Sequence, residues 1–174
     1  MDPPPPPECS VVSPTLADTV WTALGGVMDP EIPAVSITEM GMVLDVRAEH
    51  KDVWVTILPT FTGCPAIDVI VHDVEQAVAG VEGVEGVHVK LVHDPPWSTE
   101  RISPEGRTKL QQSGLAPPAA GPVLVTDIRL PEVAVCPFCG SGDTRNENPF
   151  GPTPCRAIYY CRSCRNPFEQ FKPV

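Results

Sequence analysis

Residues 41–80 read GMVLDVRAEHKDVWVTILPTFTGCPAIDVIVHDVEQAVAG, and within them the apolar period changes from two to about 3.6. Met42, Leu44 and Val46 alternate with polar neighbours, the polar stretch Glu49 to Asp52 turns the chain, and Val53, Val55 and Ile57 alternate again. This is the pattern of an antiparallel hairpin with one buried face. Ile67, Ile70, Val71, Val74 and Val78 then recur at helical spacing, with Asp68, Asp73, Glu75 and Gln76 on the wet side. Gly63-Cys64-Pro65 sits where the period changes and is expected to open that helix, since proline suits the first helical position.

Working outward, Ser13-Pro14 offers a helix start, and Leu16, Val20, Leu24 and Val27 form a stripe that Asp29-Pro30 is expected to end. Downstream, the glycine-punctuated VEGVEG of residues 81–86 is a turn before a third strand with Val87, Val89 and Leu91 inward. Asp94-Pro95-Pro96-Trp97 closes that strand, and Ser103-Pro104-Glu105 caps a helix running to about Gln112. The order α-β-β-α-β-α predicts an α+β domain of two layers, with helices covering one face of a small sheet. Its expected boundaries are 13–114, after a disordered proline-rich tail at 1–12 and before a proline-rich linker at 115–122. Residues 123–174 are expected to form a small all-β zinc ribbon, with a strand in Val123 to Val135 and a hairpin of Ala157 to Tyr160 with Phe168 to Lys172.

The ribbon follows from its cysteines. Cys136-Pro-Phe-Cys139 is answered by Cys161-Arg-Ser-Cys164, and two such steps aim four thiolates at one point. A segment this short would ordinarily need a metal to fold. The expected ion is structural Zn²⁺, with Gly140 and Asn166 supplying the left-handed backbone that lets amides face the sulfurs. A rubredoxin-like iron centre uses the same thiolate geometry, so spacing leaves zinc and iron open. Cys155 is close enough in sequence to substitute for one of the second pair.

Composition narrows the remaining choices. The formal charge is −10 over 174 residues. Residues 131–174 hold five basic and four acidic side chains, which leaves seven basic and eighteen acidic for the rest. An acidic body repels phosphate backbones, so a nucleic-acid partner is not expected. The sequence shows neither a signal segment nor a membrane span, and the expected location is the cytoplasm, where cysteines act as ligands and free thiols. No phosphate-cradling glycine loop, nucleophile elbow or HExxH is present. His50, His72, His88 and His93 share no metal spacing, and only His93-Asp94 near Trp97 forms a cluster.

Cys64 is the remaining candidate. At a helix start it would face unsatisfied amides and the positive end of the dipole, which lowers a thiol pKa. The competing reading is a small buried hydrophobe at a tight turn. Asp29 and Glu31 lie in the loop after the first helix and would orient the thiol or bind metal if that loop packs beside the turn.

DPEIPAVSITEMGMV (29–43), LPTFTGCPAIDVI (58–70) and DPPWSTERISPEGRTKLQQSGLAPP (94–118) resemble the iron-sulfur cluster assembly family. CPFCGS with FGPTPCRAIYYCRSCRNPFEQFKP resembles the branch of that family that accompanies phenylacetyl-CoA epoxidases. The resemblance implies a non-catalytic accessory role: helping to place iron-sulfur clusters in client proteins, with the cysteine of the TxxGCP turn, here Cys64, as the cluster or metal contact. Asp29, Pro30 and Glu31 match the family's DPE loop. The implied client is the epoxidase reductase, with its 2Fe-2S cluster and flavin. One Cys64 per chain gives one ligand, or two across a homodimer, so a transient cluster would be completed by a client, a small thiol or carboxylates. An electron-transfer role for the four-cysteine module and thioester chemistry at Cys64 are the rival readings. The latter lacks a visible base.

Overall fold

The computed structural model describes residues 14–118 and 134–172. The proline-rich tail expected at 1–12 and most of the strand expected at Val123 to Val135 lie outside these residues.

Helix α1 spans Leu16–Leu24 and starts slightly later than Ser13-Pro14 suggests, because Thr15 is the cap. Its hydroxyl accepts from the Asp18 amide while the Asp18 carboxylate accepts from the Thr15 amide, a reciprocal capping box. The helix stops at Leu24, earlier than expected. Gly25-Gly26 release the chain there, and Val27 is buried from the following loop rather than from the helix. Strands β1 (Val43–Glu49) and β2 (Asp52–Ile57) form the antiparallel hairpin, turning at His50 with φ 58°. The register shifts between Val43 and Asp45. This irregularity brings Val43 opposite Ile57 and lets both Met42 and Val43 face the core, which strict alternation does not anticipate.

Helix α2 spans Ile67–Ala79 and buries Ile70, Val74 and Val78. It returns the chain to β3 (Gly86–Leu91), which pairs in parallel with β2, Val53 opposite Val87 and Val55 opposite Val89. Leu91 is exposed rather than inward. The sheet order is β1-β2-β3. Val53, Val55 and Ile57 meet Val20 and Leu24 of α1 and the buried stripe of α2 in one core. The opposite face carries Asp45, Arg47, Trp54, Thr56 and Lys90, with Trp54 stacked on His88 at 5.0 Å. Helix α3 (Pro104–Gln112) begins with its expected Ser103 cap and Pro104, and contributes Leu110 to the core.

The two halves of the chain share structure. Leu115–Ala116, within the stretch expected as linker, form strand β4. It pairs in parallel with β7 (Pro167–Phe171) in a second sheet of order β4-β7-β6-β5, where β5 is Thr144–Asn148 and β6 is Arg156–Cys161. The expected hairpin is β6–β7, and β5 is the additional strand. Phe171 is 1% exposed and belongs to the core of the first sheet, edge-on to Trp97 at 5.7 Å. Trp97 in turn donates to the Met40 carbonyl at 2.9 Å.

Truncating a buried phenylalanine costs about 3–5 kcal/mol. Phe171→Ala is therefore expected to lower the melting temperature of the whole chain and to red-shift Trp97 emission in the same transition. Loss confined to the ribbon, with the first sheet melting as in wild type, would contradict the shared core.

Candidate metal and thiol sites

Two backbone knuckles hold the cysteine quartet. In the first, the Gly140 amide donates to the Cys136 carbonyl at 2.9 Å and the Cys136 amide to the Ser141 carbonyl at 2.9 Å. In the second, the Arg165 amide donates to the Cys161 carbonyl at 2.9 Å and the Cys161 amide to the Asn166 carbonyl at 3.0 Å. The pattern is the same, and each knuckle needs one left-handed residue. In the first that is Gly140 (φ 73°); in the second it is Arg165 (φ 62°), not Asn166 as the sequence suggests.

The sulfurs of Cys136 and Cys164 are 3.6 Å apart, as are those of Cys139 and Cys161, and all four lie within 4.8 Å of one another. A tetrahedral ion with metal–sulfur bonds of about 2.3 Å has sulfur–sulfur edges of about 3.8 Å. The quartet therefore fits a tetrahedral metal with every position filled, and it is a metal-binding site. The thiol protons are unevenly held. The Ser141 amide favours the Cys139 thiolate, but burial and the sulfurs of Cys161, Cys164 and Cys136 push this thiol up to about 12. The Asn166 amide leads in bringing Cys164 down to about 7, against burial and with help from the other three sulfurs. A cation at the centre would remove the need to share protons.

Cys155 is outside the quartet. Its sulfur lies 3.1 Å from the Thr153 hydroxyl, and its carbonyl accepts from the Lys172 amide at 2.8 Å. This half-buried cysteine is packed against the core of the first sheet, as is Cys64.

Cys64 occupies the turn between β2 and α2. Its amide donates to the Phe61 carbonyl at 3.1 Å, and Gly63 has φ 81°, a conformation that only glycine adopts without strain. The helix begins at Ile67, three residues beyond the cysteine. The dipole contribution expected from sequence is correspondingly small: burial pushes the Cys64 thiol up, the Ala66 amide alone opposes this, and the charges of Asp29, Cys155 and Glu31 add to the rise. The sequence-based expectation of a lowered pKa is reversed.

Asp29 does pack beside the turn. It is buried, and one carboxylate oxygen accepts from the amides of Glu31 at 2.8 Å and Ile32 at 3.0 Å. Burial nevertheless raises its pKa, with those two amides and Arg156 pulling the other way. Arg156, at the start of β6, clamps the loop from the ribbon side. One guanidinium nitrogen donates to Glu169 at 2.9 Å and another to the Glu31 carbonyl. Neither Arg156 nor the place of Cys155 is visible from cysteine spacing, because both depend on the packing of one module against the other. His93 lines a separate hollow with Thr60, Phe61 and Trp97. Among the described residues, only the quartet brings three or more ligating atoms within 4.8 Å, so Cys64, Asp29 and Glu31 do not by themselves form such a cluster.

Two family models match: a description of "iron-sulfur cluster assembly protein" covers residues 17–91, and "PaaD zinc beta ribbon domain" covers residues 120–172. An Escherichia coli (strain K12) protein, named as a candidate component of 1,2-phenylacetyl-CoA epoxidase, is 35% identical over 95% of this chain and 98% of its own. A Porphyromonas gingivalis protein named as an Fe-S protein maturation auxiliary factor is 38% identical over 48% of this chain and 80% of its own. Among solved structures, a domain of unknown function from Bacillus anthracis superimposes with a TM-score of 0.52 at 34% identity, covering 55% of this chain and 91% of that one. No described helix is long and apolar enough to cross a membrane.

Three outcomes are expected from these sites. The thiolate is the reactive form of cysteine, and a raised pKa leaves little of it at neutral pH. Alkylation of Cys64 by iodoacetamide, followed by mass spectrometry, should quicken about tenfold from pH 7 to pH 8. Asp29→Asn removes a charge that raises the thiol, so it should speed alkylation at pH 7, by roughly two- to tenfold. A slower reaction in this variant would refute the electrostatic assignment. Cys161→Ser should abolish metal binding at the quartet, and hydrogen exchange in β6 and β7 should lose its protection, because the metal supplies much of a small module's folding free energy.

Proposed function

The chain belongs to the iron-sulfur cluster assembly family, in the branch that carries the PaaD zinc ribbon, and on that premise we propose that it is a non-catalytic maturation factor that presents iron-sulfur clusters to the phenylacetyl-CoA epoxidase system. The observation that carries this reading is the contrast between two sulfur environments. The quartet is coordinatively complete, whereas Cys64 is a half-buried thiol within reach of the charges of Asp29 and Glu31 and outside any complete ligand set among the described residues.

In this reading the cluster is cargo. Cys64 supplies a sulfur ligand, and the buried Asp29 is fixed by two amides so that its charge stays beside that sulfur. Glu31 adds negative charge at the rim, and its backbone is held by Arg156. An incomplete ligand set holds a cluster loosely, as transfer requires, and the raised thiol pKa lets a proton displace the cluster on release. The partner is the epoxidase reductase, whose 2Fe-2S centre is the receiving site. The protein works in the cytoplasm, and the quartet holds structural zinc.

A second reading makes the quartet a rubredoxin-like iron centre that carries electrons. The sulfur edges fit iron as well as zinc. Metal analysis of protein purified without oxygen separates the two: one zinc per chain without a visible absorption band rejects electron transfer, and one iron with such a band rejects structural zinc.

Co-expression of the reductase with this chain is expected to raise the iron and sulfide content of the reductase. Cys64→Ser should bring that content down toward the level reached without the chain, while ribbon metal and the Trp97 emission maximum stay unchanged. Equal occupancy with the variant would overturn the maturation role.

A further inference from the structure

We propose that Arg156 is a positioning residue that ties the Asp29 loop to the metal state of the quartet, so that loading the ribbon fixes the backbone at Glu31 in the other module. Its use in maturation rests on the reading of Asp29 and Glu31 given above, whereas the tie itself is independent of that reading.

On the loop side, one residue is gripped from two directions. The Glu31 amide donates to the Asp29 carboxylate at 2.8 Å, and the Glu31 carbonyl accepts from the Arg156 guanidinium. The same carboxylate oxygen accepts from the Ile32 amide at 3.0 Å. Ile32 and Val35 are sunk in the core of the first sheet, which anchors the far part of the loop without the ribbon. Around Glu31 the packing is interrupted. A hollow of about 380 Å³ is lined by residues 31–34, by the end of α3 and by Arg156, Phe168 and Glu169 of the ribbon. Beside such a gap, the position of the Glu31 peptide depends on the polar bridge from Arg156.

On the ribbon side, the bridge leads to the quartet along one strand. Arg156 opens β6 and the quartet cysteine Cys161 closes it. This strand is an inner one, paired with β5 and with β7. The second arm of the guanidinium donates to Glu169 of β7 at 2.9 Å, so β6 and β7 together aim the side chain. Arg156 is only 15% exposed there, and the low local dielectric strengthens both of its bonds. A module this small draws much of its folding free energy from metal. When metal is removed, β6 and β7 loosen and the Glu31 carbonyl loses its donor. Only a planar fork serves two acceptors at once, which a lysine at this position does not.

The test uses the full chain, loaded with zinc or stripped by a chelator, wild type beside Arg156→Gln and Arg156→Lys. Hydrogen exchange is followed at the Glu31 and Ile32 amides. Stripping should speed exchange there at least about tenfold more in wild type than in Arg156→Gln, as expected for a lost charge-assisted bond. Undocking of Phe171 on stripping acts alike in every chain and cancels in this ratio. Arg156→Lys should behave as Arg156→Gln does. The same stripped-to-loaded ratio in wild type and Arg156→Gln, or a wild-type ratio in Arg156→Lys, overturns the tie.

A second arm reads the tie from its other end, because coupling between two sites is reciprocal. Asp29→Ala frees the Glu31 amide and alters no ribbon residue, yet it should weaken zinc binding at the quartet at least roughly threefold by chelator competition. In the Arg156→Gln background the same substitution should leave zinc affinity unchanged. A zinc affinity indifferent to Asp29→Ala, or equally sensitive in both backgrounds, overturns the tie. If neither Arg156 variant folds, the response of the otherwise wild-type chain to Asp29→Ala decides alone. Neither arm uses a cluster or a client, so failure here leaves the maturation role standing, and failure of that role leaves the tie.

Discussion

The arrangement of this molecule depends on strand β7 belonging to two structures at once. Its backbone completes the second sheet between β4 and β6, and its last aromatic, Phe171, completes the core beneath the first. Burying such a side chain contributes about 1.5–3 kcal/mol by area alone. The Arg156 contact to Glu31 adds a polar tie beside it. Without that docking the quartet would still have its knuckles, but nothing would set Arg156 against the loop of Asp29 and Glu31.

The docking also explains why the sulfurs divide as they do. The quartet is built locally, from two knuckles whose hydrogen bonds lie within the ribbon, and its ligand set is complete. The environment of Cys64 is built from three segments: its own turn, the Asp29 loop and the start of β6. A site assembled from one module is stiff and self-sufficient. A site assembled across a junction depends on the docking of its parts.

Much of this is legible in the sequence, and the failures have physical causes. Period and punctuation place α2, the hairpin and the Ser103-Pro104 start of α3, because each is set by residues within one or two turns of itself. Paired CxxC spacing reveals the quartet for the same reason. The end of α1 differs from its sequence reading because Gly25-Gly26 release a helix before a proline has to. The register shift near Val43 is a property of the strand pair, so no single-strand pattern shows it. The direction of the Cys64 shift is reversed because the helix starts three residues beyond it, and because burial and neighbouring charges outweigh a lone amide. Cys155 can be seen only as a spare ligand, since its neighbours across the junction have no signature in spacing.

The layout of β6 has a chemical consequence of its own. The strand runs from Arg156 to Cys161, and five residue rises of about 3.3 Å separate its ends by roughly 17 Å. A disulfide needs Cα atoms within about 7 Å of each other. When oxidants reach this protein, the ribbon's thiols can cross-link among themselves at one end of the strand, but Cys155 at the other end is beyond their reach, and strand length thereby guards against scrambled pairing.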